Sequence, residues 1–251
     1  MTTHSIHDVA SQLAANRRYW CGWAGARSDT DLPTYRTDIT HGLLNGVLRI
    51  RNRPLDEAIE EARQQLAGSM WNWWVGADSD EGTADGLLAR GATQTGDMPI
   101  MAVDVTTVAG FGAPADLKIC PVIDRAEMQE YVRAYAEPLG FRSDSVDTVV
   151  DHELNFGYPD VVRLAGIVDG RTVGTCTLSL ATDVAALYCI ATDPEYRRRS
   201  IATALTLEAL RITRESGRRF ATLQASSEGE PVYRRIGFET VARYRLFKLP
   251  E

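Results

Sequence analysis

Residues 194 to 203 read Pro-Glu-Tyr-Arg-Arg-Arg-Ser-Ile-Ala-Thr, and Arg197, Arg198 and Arg199 stand directly before a helical pattern that runs from Ser200 to Ser216. A helix start leaves several backbone N–H groups without an intrahelical acceptor. It is also the positive end of the helix dipole. A phosphate placed there takes both the N–H hydrogen bonds and the field, and each amide bonded to a charged oxygen contributes about 1.5–3 kcal/mol. Small side chains at Ser200 and Ala202 let a bulky pyrophosphate approach the backbone, and guanidinium groups add charge around it. A run of three arginines can equally be a solvated basic turn. The order of segments favours the phosphate reading: a nearly all-apolar strand at 184–192, then Pro-Glu-Tyr, then the loop, then the helix.

The positive charge is local. The chain has 251 residues, 44% hydrophobic and 24% charged, with a net charge of -7. That is the profile of a globular protein of one large or two small domains. It argues against an extended basic surface for nucleic acid. Cys21, Cys120, Cys176 and Cys189 lie far apart with no CxxC or CxxH spacing, so reduced interior thiols are expected rather than disulfides or metal ligands. The first twenty residues lack the basic start and apolar core of a signal peptide, and no apolar run reaches the ~18 residues of a membrane span. A cytoplasmic protein with no membrane partner is expected.

A Gly/Pro-rich segment at 108–118 divides two regions with related patterns. In the second, a strand at 118–122 precedes a helix that Asp124 can cap. A second helix covers 143–154, and two strands joined by an Asp169-Gly170 hairpin turn lead to the apolar strand 184–192. The long helix stops at Gly217, and strand 220–226, a short helix at 231–238 and a final strand near 242–249 follow. The first region repeats this order: Gly-Leu-Leu-Asn-Gly-Val-Leu-Arg-Ile (42–50) parallels the apolar strand, and the helix at 54–68 parallels the long helix. Met70–Gly76 parallels strand 220–226, and Gly86–Val105 parallels the closing helix and strand, with Arg90-Gly91-Ala92 against Ile236-Gly237-Phe238. A degenerate duplication is inferred. Only the second copy keeps the arginine loop, because the first reads Arg-Asn-Arg-Pro-Leu-Asp and Pro54 removes a backbone N–H.

The segment Tyr-Cys-Ile-Ala-Thr-Asp-Pro-Glu-Tyr-Arg-Arg-Arg-Ser-Ile-Ala-Thr-Ala-Leu (188–205) resembles the acyl-CoA-binding signature of the GNAT superfamily of N-acyltransferases. Arg197, Ser200 and Ala202 hold the marked positions of its Gln/Arg-x-x-Gly-x-Gly/Ala loop. Gly-Glu-Pro-Val-Tyr-Arg-Arg-Ile-Gly-Phe (229–238) resembles the family's later helix, with Tyr233 at the place of a tyrosine often used as general acid. The resemblance implies an α/β (α+β) fold of two GNAT-like domains with mixed, mostly antiparallel sheets flanked by helices. Residues 1–115 would be a degenerate, non-catalytic copy and 116–251 the catalytic, acyl-CoA-binding domain. Ser200 replaces the usual glycine, where a Cβ is penalised if φ is positive. As a favoured N-cap, serine is acceptable in an extended or helical conformation.

By resemblance, the strand 184–192 splays from its neighbour and pairs with the pantetheine arm of acetyl-CoA or another acyl-CoA at Ile190, Ala191 and Thr192. Backbone groups among Arg197, Arg198, Arg199, Ser200, Ile201, Ala202 and Thr203 hold the pyrophosphate. The implied activity is N-acyl transfer, acetyl in the first instance, to the primary amine of a small molecule, without a metal; homodimerisation is left open. The alternatives are a non-catalytic acyl-CoA sensor or assembly module and an O- or S-acyltransferase. An alkyl amine is mostly protonated at neutral pH, so a base is sought in 151–160, where the family builds its acceptor site. His152 has the most suitable ordinary pKa, and Glu153 would need burial to raise its own. His4, His7 and His41 read as surface or turn residues, and Tyr188 as core. Trp71 and Trp73 alternate onto one strand face, where packing is the favoured role over a binding wall.

Overall fold

The computed structural model describes residues 5–110 and 112–250, so His4 lies outside the described residues. The first region runs α1 (Val9–Gly22), β1 (Thr34–Arg36), β2 (Asn45–Val47), α2 (Leu55–Gln65), β3 (Asn72–Val75), α3 (Thr83–Ala89), β4 (Thr93–Asp104). The second runs β5 (Lys118–Pro121), α4 (Arg125–Ala136), α5 (Val146–Leu154), β6 (Val161–Val168), β7 (Arg171–Ser179), β8 (Val184–Thr192), α6 (Ile201–Glu215), β9 (Phe220–Gln224), α7 (Glu230–Ile236), β10 (Glu239–Lys248). Local chemistry sets several boundaries as the sequence predicts. Asp124 Oδ1 accepts from the Glu127 N–H at 2.8 Å and caps α4. Asp169 and Gly170 both have positive φ, as a tight hairpin turn requires.

Among the described residues the strands form one mixed, mostly antiparallel sheet in the order β1-β2-β3-β10-β4-β9-β8-β7-β6-β5. The element order of the repeat is present twice: β2 and β3 are parallel across α2, and β8 and β9 are parallel across α6. The closing helices α3 and α7 both exit through a left-handed glycine, Gly91 and Gly237. The closing strands are exchanged. β4 pairs with β9 from Ile100–Gln224 to Asp104–Phe220, whereas β10 pairs with β3. The two exchanged strands pair with each other from Glu239–Ala102 to Lys248–Thr93. Each region thus completes the other's sheet, and the interior between them is continuous.

Alternation along the strands assigns the helices to faces. Ala185 and Leu187 of β8 pack toward α6 and α7, while Val184, Ala186 and Tyr188 pack toward α1, α4 and α5. On β3, Trp73 packs under α2 and Trp74 faces α1. α1 therefore crosses the middle of one face, against both regions. The position of α6 depends on glycine: a Cβ on Gly174 of β7 would lie 2.5 Å from Ile201 Cγ2 and 2.9 Å from Leu205 Cδ1. Gly174→Ala is expected to push the first turn of α6 off the sheet and cost about 1–3 kcal/mol, as overpacking does. A lowered denaturant midpoint checks this; an unchanged midpoint would contradict it. All four cysteines are free, and no helix among the described residues is long and apolar enough to cross a membrane.

Candidate active site

Parallel pairing of β8 with β9 runs only from Val184–Phe220 to Leu187–Leu223. β8 continues to Thr192, held on its other side by β7 through Gly174–Thr192. Past Leu187, the β9-facing edge of β8 has no partner strand among the described residues, and Ile190, Ala191 and Thr192 line a cavity there. A bulge marks the divergence: Thr177 pairs with Tyr188 and Thr175 with Ala191, so Cys189 and Ile190 together face Cys176. Cys189 has φ of 48°, and the Thr175 hydroxyl donates to the Cys189 carbonyl at 2.6 Å, which pins the bulge. Bulges of this kind re-aim backbone and side chains next to functional sites.

The strand leads into the arginine loop. Asp193 accepts from the Glu195 N–H at 3.0 Å and from Arg171 at 2.6 Å, fixing a short turn at Pro194–Tyr196. Arg198 and Ser200 then both take left-handed conformations, φ 67° and 59°. Ser200 thereby departs from the extended or helical conformation that would accommodate a serine, and it makes no side-chain cap hydrogen bond. A Cβ in this region costs about 1–2 kcal/mol. The geometry turns successive N–H groups outward, as in an anion-binding nest. The backbone N–H groups of residues 198–203 have no backbone acceptor among the described residues; the first helical bond is Ala204 N–H to Ser200 O at 2.9 Å.

The arginines differ in what they do. Arg199 is bound to Asp116 at 2.6 Å and lies 5.1 Å over the Tyr196 ring, so its charge is partly spent. Arg197 lines a cavity of about 190 Å3 together with Ile190, Ala191, Thr192, Ala202, Pro138 and Tyr233. Ile201 points the other way, into the core beside Gly174. A second, inner cavity of about 210 Å3 lies beyond the first, and Leu139, Ile190, Ser226 and Tyr233 belong to the walls of both. Tyr233 therefore stands at the junction. Its ring packs edge-on to Phe238, and its hydroxyl has no hydrogen-bond partner among the described residues. Burial raises its pKa above the ordinary tyrosine range, so the proton stays on at neutral pH.

Residues 126–241 match a family model described as acetyltransferase (GNAT) domain. This part of the chain is similar to GNAT acetyltransferase domains. No curated protein matches the sequence. Among solved structures, a GCN5-related N-acetyltransferase from Kribbella flavida is 20% identical, with a TM-score of 0.73 over 97% of this chain and 96% of that one. A functionally unknown conserved protein from Staphylococcus epidermidis is 14% identical, with a TM-score of 0.65 over 89% and 92%. A tandem GNAT protein from the clavulanic acid biosynthesis pathway is 17% identical, with a TM-score of 0.58 over 81% and 74%. The likenesses over most of the chain extend the shared fold to the first region.

In the second region the two residues sought as bases lie elsewhere than the sequence suggests. Neither His152 nor Glu153 lines either cavity. His152 sits at the end of α5 with Nδ1 3.0 Å from the Trp23 carbonyl. Glu153 is 2% exposed and fully engaged: it accepts from Tyr135 Oη at 2.8 Å and from Arg163 Nε at 2.7 Å, while Arg163 Nη2 donates to its carbonyl at 2.6 Å. These contacts make the pair a buried strut between α5, α4 and β6. His41, which the sequence suggests is a surface or turn residue, instead lines the inner cavity, stacked on Phe141 at 4.5 Å. Its Nδ1 accepts from the Leu43 N–H and its Nε2 meets the Leu139 carbonyl. Tyr188 is both core and wall: it stacks on Tyr19 at 3.5 Å, donates to Asn16 at 3.3 Å and borders the cavity. Of the tryptophan group, Trp73 is core and Trp74, on the opposite face, lines the cavity with Trp20 and Trp23.

Proposed function

We propose that the protein is an acetyl-CoA-dependent N-acetyltransferase that acts on the amine of a small molecule held between the two regions. The observation that carries this is the continuity of three features: the unpartnered N–H groups of residues 198–203, the open edge of β8, and the Tyr233 junction between two cavities. The N–H groups and Arg197 are placed to hold the pyrophosphate of the acyl donor, and Ile190 to Thr192 to pair with its amide-bearing arm. A backbone N–H at the bulge can donate to the thioester oxygen, where negative charge develops on attack. Holding donor and acceptor in adjoining cavities replaces a bimolecular encounter with a positioned one. Tyr233, kept protonated by burial, donates a hydrogen bond to the sulfur as the thiolate leaves.

The first region, up to about residue 115, is read as the non-catalytic copy. At the start of α2 the N-cap is Pro54, and Asp56 and Glu57 occupy the first turn, where they oppose an anionic ligand. Its role is structural: β4 completes the sheet beside β9, and Trp20, Trp23, His41, Trp74 and Met98 wall the inner cavity. One feature favours a second reading, acyl-CoA binding without turnover. Among the described residues the inner cavity is lined by no carboxylate, and its histidine has both ring nitrogens engaged. Release of free thiol from acetyl-CoA across a panel of amines separates the two readings. Tyr233→Phe is expected to lower kcat by about 10²-fold, the low end of general-acid contributions, with acetyl-CoA affinity retained. Unchanged turnover would remove Tyr233 from the mechanism, and no thiol release with any amine would favour the binding module.

A further inference from the structure

The inner cavity is chemically unusual for a site that must deliver a free amine. Its wall is aromatic and aliphatic, with Trp20, Trp23, Trp74, Phe141 and Tyr188 prominent, and among the described residues no Asp, Glu, Lys or Arg lines it. The titratable groups on the wall are His41, Tyr188, Cys189 and Tyr233. Burial lowers His41 and raises the other three, Cys189 to about 12, so all four are neutral near pH 7. The carboxylate whose charge reaches Cys189, Glu153, is locked to Arg163. An ammonium entering this space would lose its hydration with no counter-ion, a cost proteins avoid by pairing or neutralising the charge. No wall group is placed to take its proton.

Size points the same way. A dry cavity of about 150 Å3 holds benzene, and this one measures about 210 Å3, room for one substituted ring. Gln224 supplies a polar handle beside the indole N–H groups of Trp20, Trp23 and Trp74: both atoms of its side-chain amide are buried without a hydrogen-bond partner among the described residues. We propose that the inner cavity takes an aromatic amine, uncharged at neutral pH and bearing no charged substituent, as the acyl acceptor. This rests on the transferase reading above and names its substrate class. The nitrogen of an arylamine is unprotonated at neutral pH, so its lone pair attacks the thioester carbon without a base. The C–S bond breaks, sulfur leaves with the electron pair, and the proton lost from nitrogen ends on the thiol, through the Tyr233 hydroxyl. Amide and free thiol are the only products.

The test compares 4-chloroaniline with 4-chlorobenzylamine, which share a ring and differ in the charge on nitrogen at pH 7. Calorimetric binding to the full chain is expected to favour the aniline by at least about tenfold. Gln224→Glu, which adds a carboxylate of the same shape, is expected to shrink or invert that preference. Equal or tighter benzylamine binding, no binding of either ring, or an unaltered preference in Gln224→Glu would overturn the inference. So would displacement of the aniline by hexanoyl-CoA but not acetyl-CoA, which would assign the cavity to the acyl chain. Thiol release is read in the same samples with acetyl-CoA. Its absence despite the binding preference counts against the transferase reading alone, whereas release that favours the benzylamine leaves that reading standing and overturns this one.

Discussion

Ala202→Glu should abolish acetyl-CoA binding while leaving the protein folded. Ala202 lies in the first turn of α6 and on the wall of the outer cavity. A glutamate there places its carboxylate among the N–H groups of residues 198–203, which have no backbone acceptor of their own. An acidic side chain near a helix start is favourable, by about 0.3–1 kcal/mol, so the fold has no reason to suffer. A pyrophosphate would lose two or more charge-assisted hydrogen bonds, each worth roughly 1.5–3 kcal/mol. The expected fall in affinity is therefore at least about 10²-fold, before repulsion between like charges is added. Ligand at a hundred times its Kd stabilises by about 2.7 kcal/mol, so the unliganded melting temperature should hold and the acetyl-CoA shift should vanish. Arg53→Ala is the control, since Arg53 in the loop before α2 is paired with Glu61 at 2.5 Å; its acetyl-CoA shift should match that of the unsubstituted protein. A full shift in Ala202→Glu would remove the start of α6 from the donor site.

The loop behind that prediction was readable because its determinants are local. An apolar strand, a turn residue and a small-residue helix start lie within about twenty positions, and each leaves its own mark on the sequence. Non-local facts left no such mark. The repeat showed that β4 and β10 end their regions, but the same alternation fits a strand whether it pairs within its own region or with the other. α1 has no legible sequence signature, because it is buried on more than one side and carries Gln12, Asn16 and Arg17 inward, so no apolar stripe appears. Trp20 and Trp23 lie on or just past that helix, so the character of the inner cavity is equally illegible in the sequence. Strand alternation placed Trp71 and Trp73 on one face. Which face meets the cavity depends on where α1 crosses the sheet, and the answer is the face of Trp74.

The other large effect is expected at Arg163, and it decides between two roles for Glu153. A residue chosen from sequence as a base turns out 2% exposed, with both carboxylate oxygens bound. Arg163→Met removes the guanidinium and leaves that carboxylate buried without a counter-charge, which typically costs about 3–5 kcal/mol. Chemical denaturation should show a midpoint reduced by most of the protein's stability margin, since whole domains rest on about 5–15 kcal/mol. Adding Glu153→Leu removes the stranded charge, and a buried ion pair replaced by apolar side chains of similar volume is often neutral or better. The double variant should therefore recover most of the loss, falling short by about 1 kcal/mol for the Tyr135 hydroxyl left without its acceptor. If Glu153 is only a strut between α5, α4 and β6, the folded double variant keeps its rate of thiol release. If the carboxylate works as a base, stability returns and turnover does not. The burial, the bidentate grip of Arg163 and the absence of Glu153 from both cavity walls make the first outcome the expected one. They leave the acceptor amine to arrive already neutral.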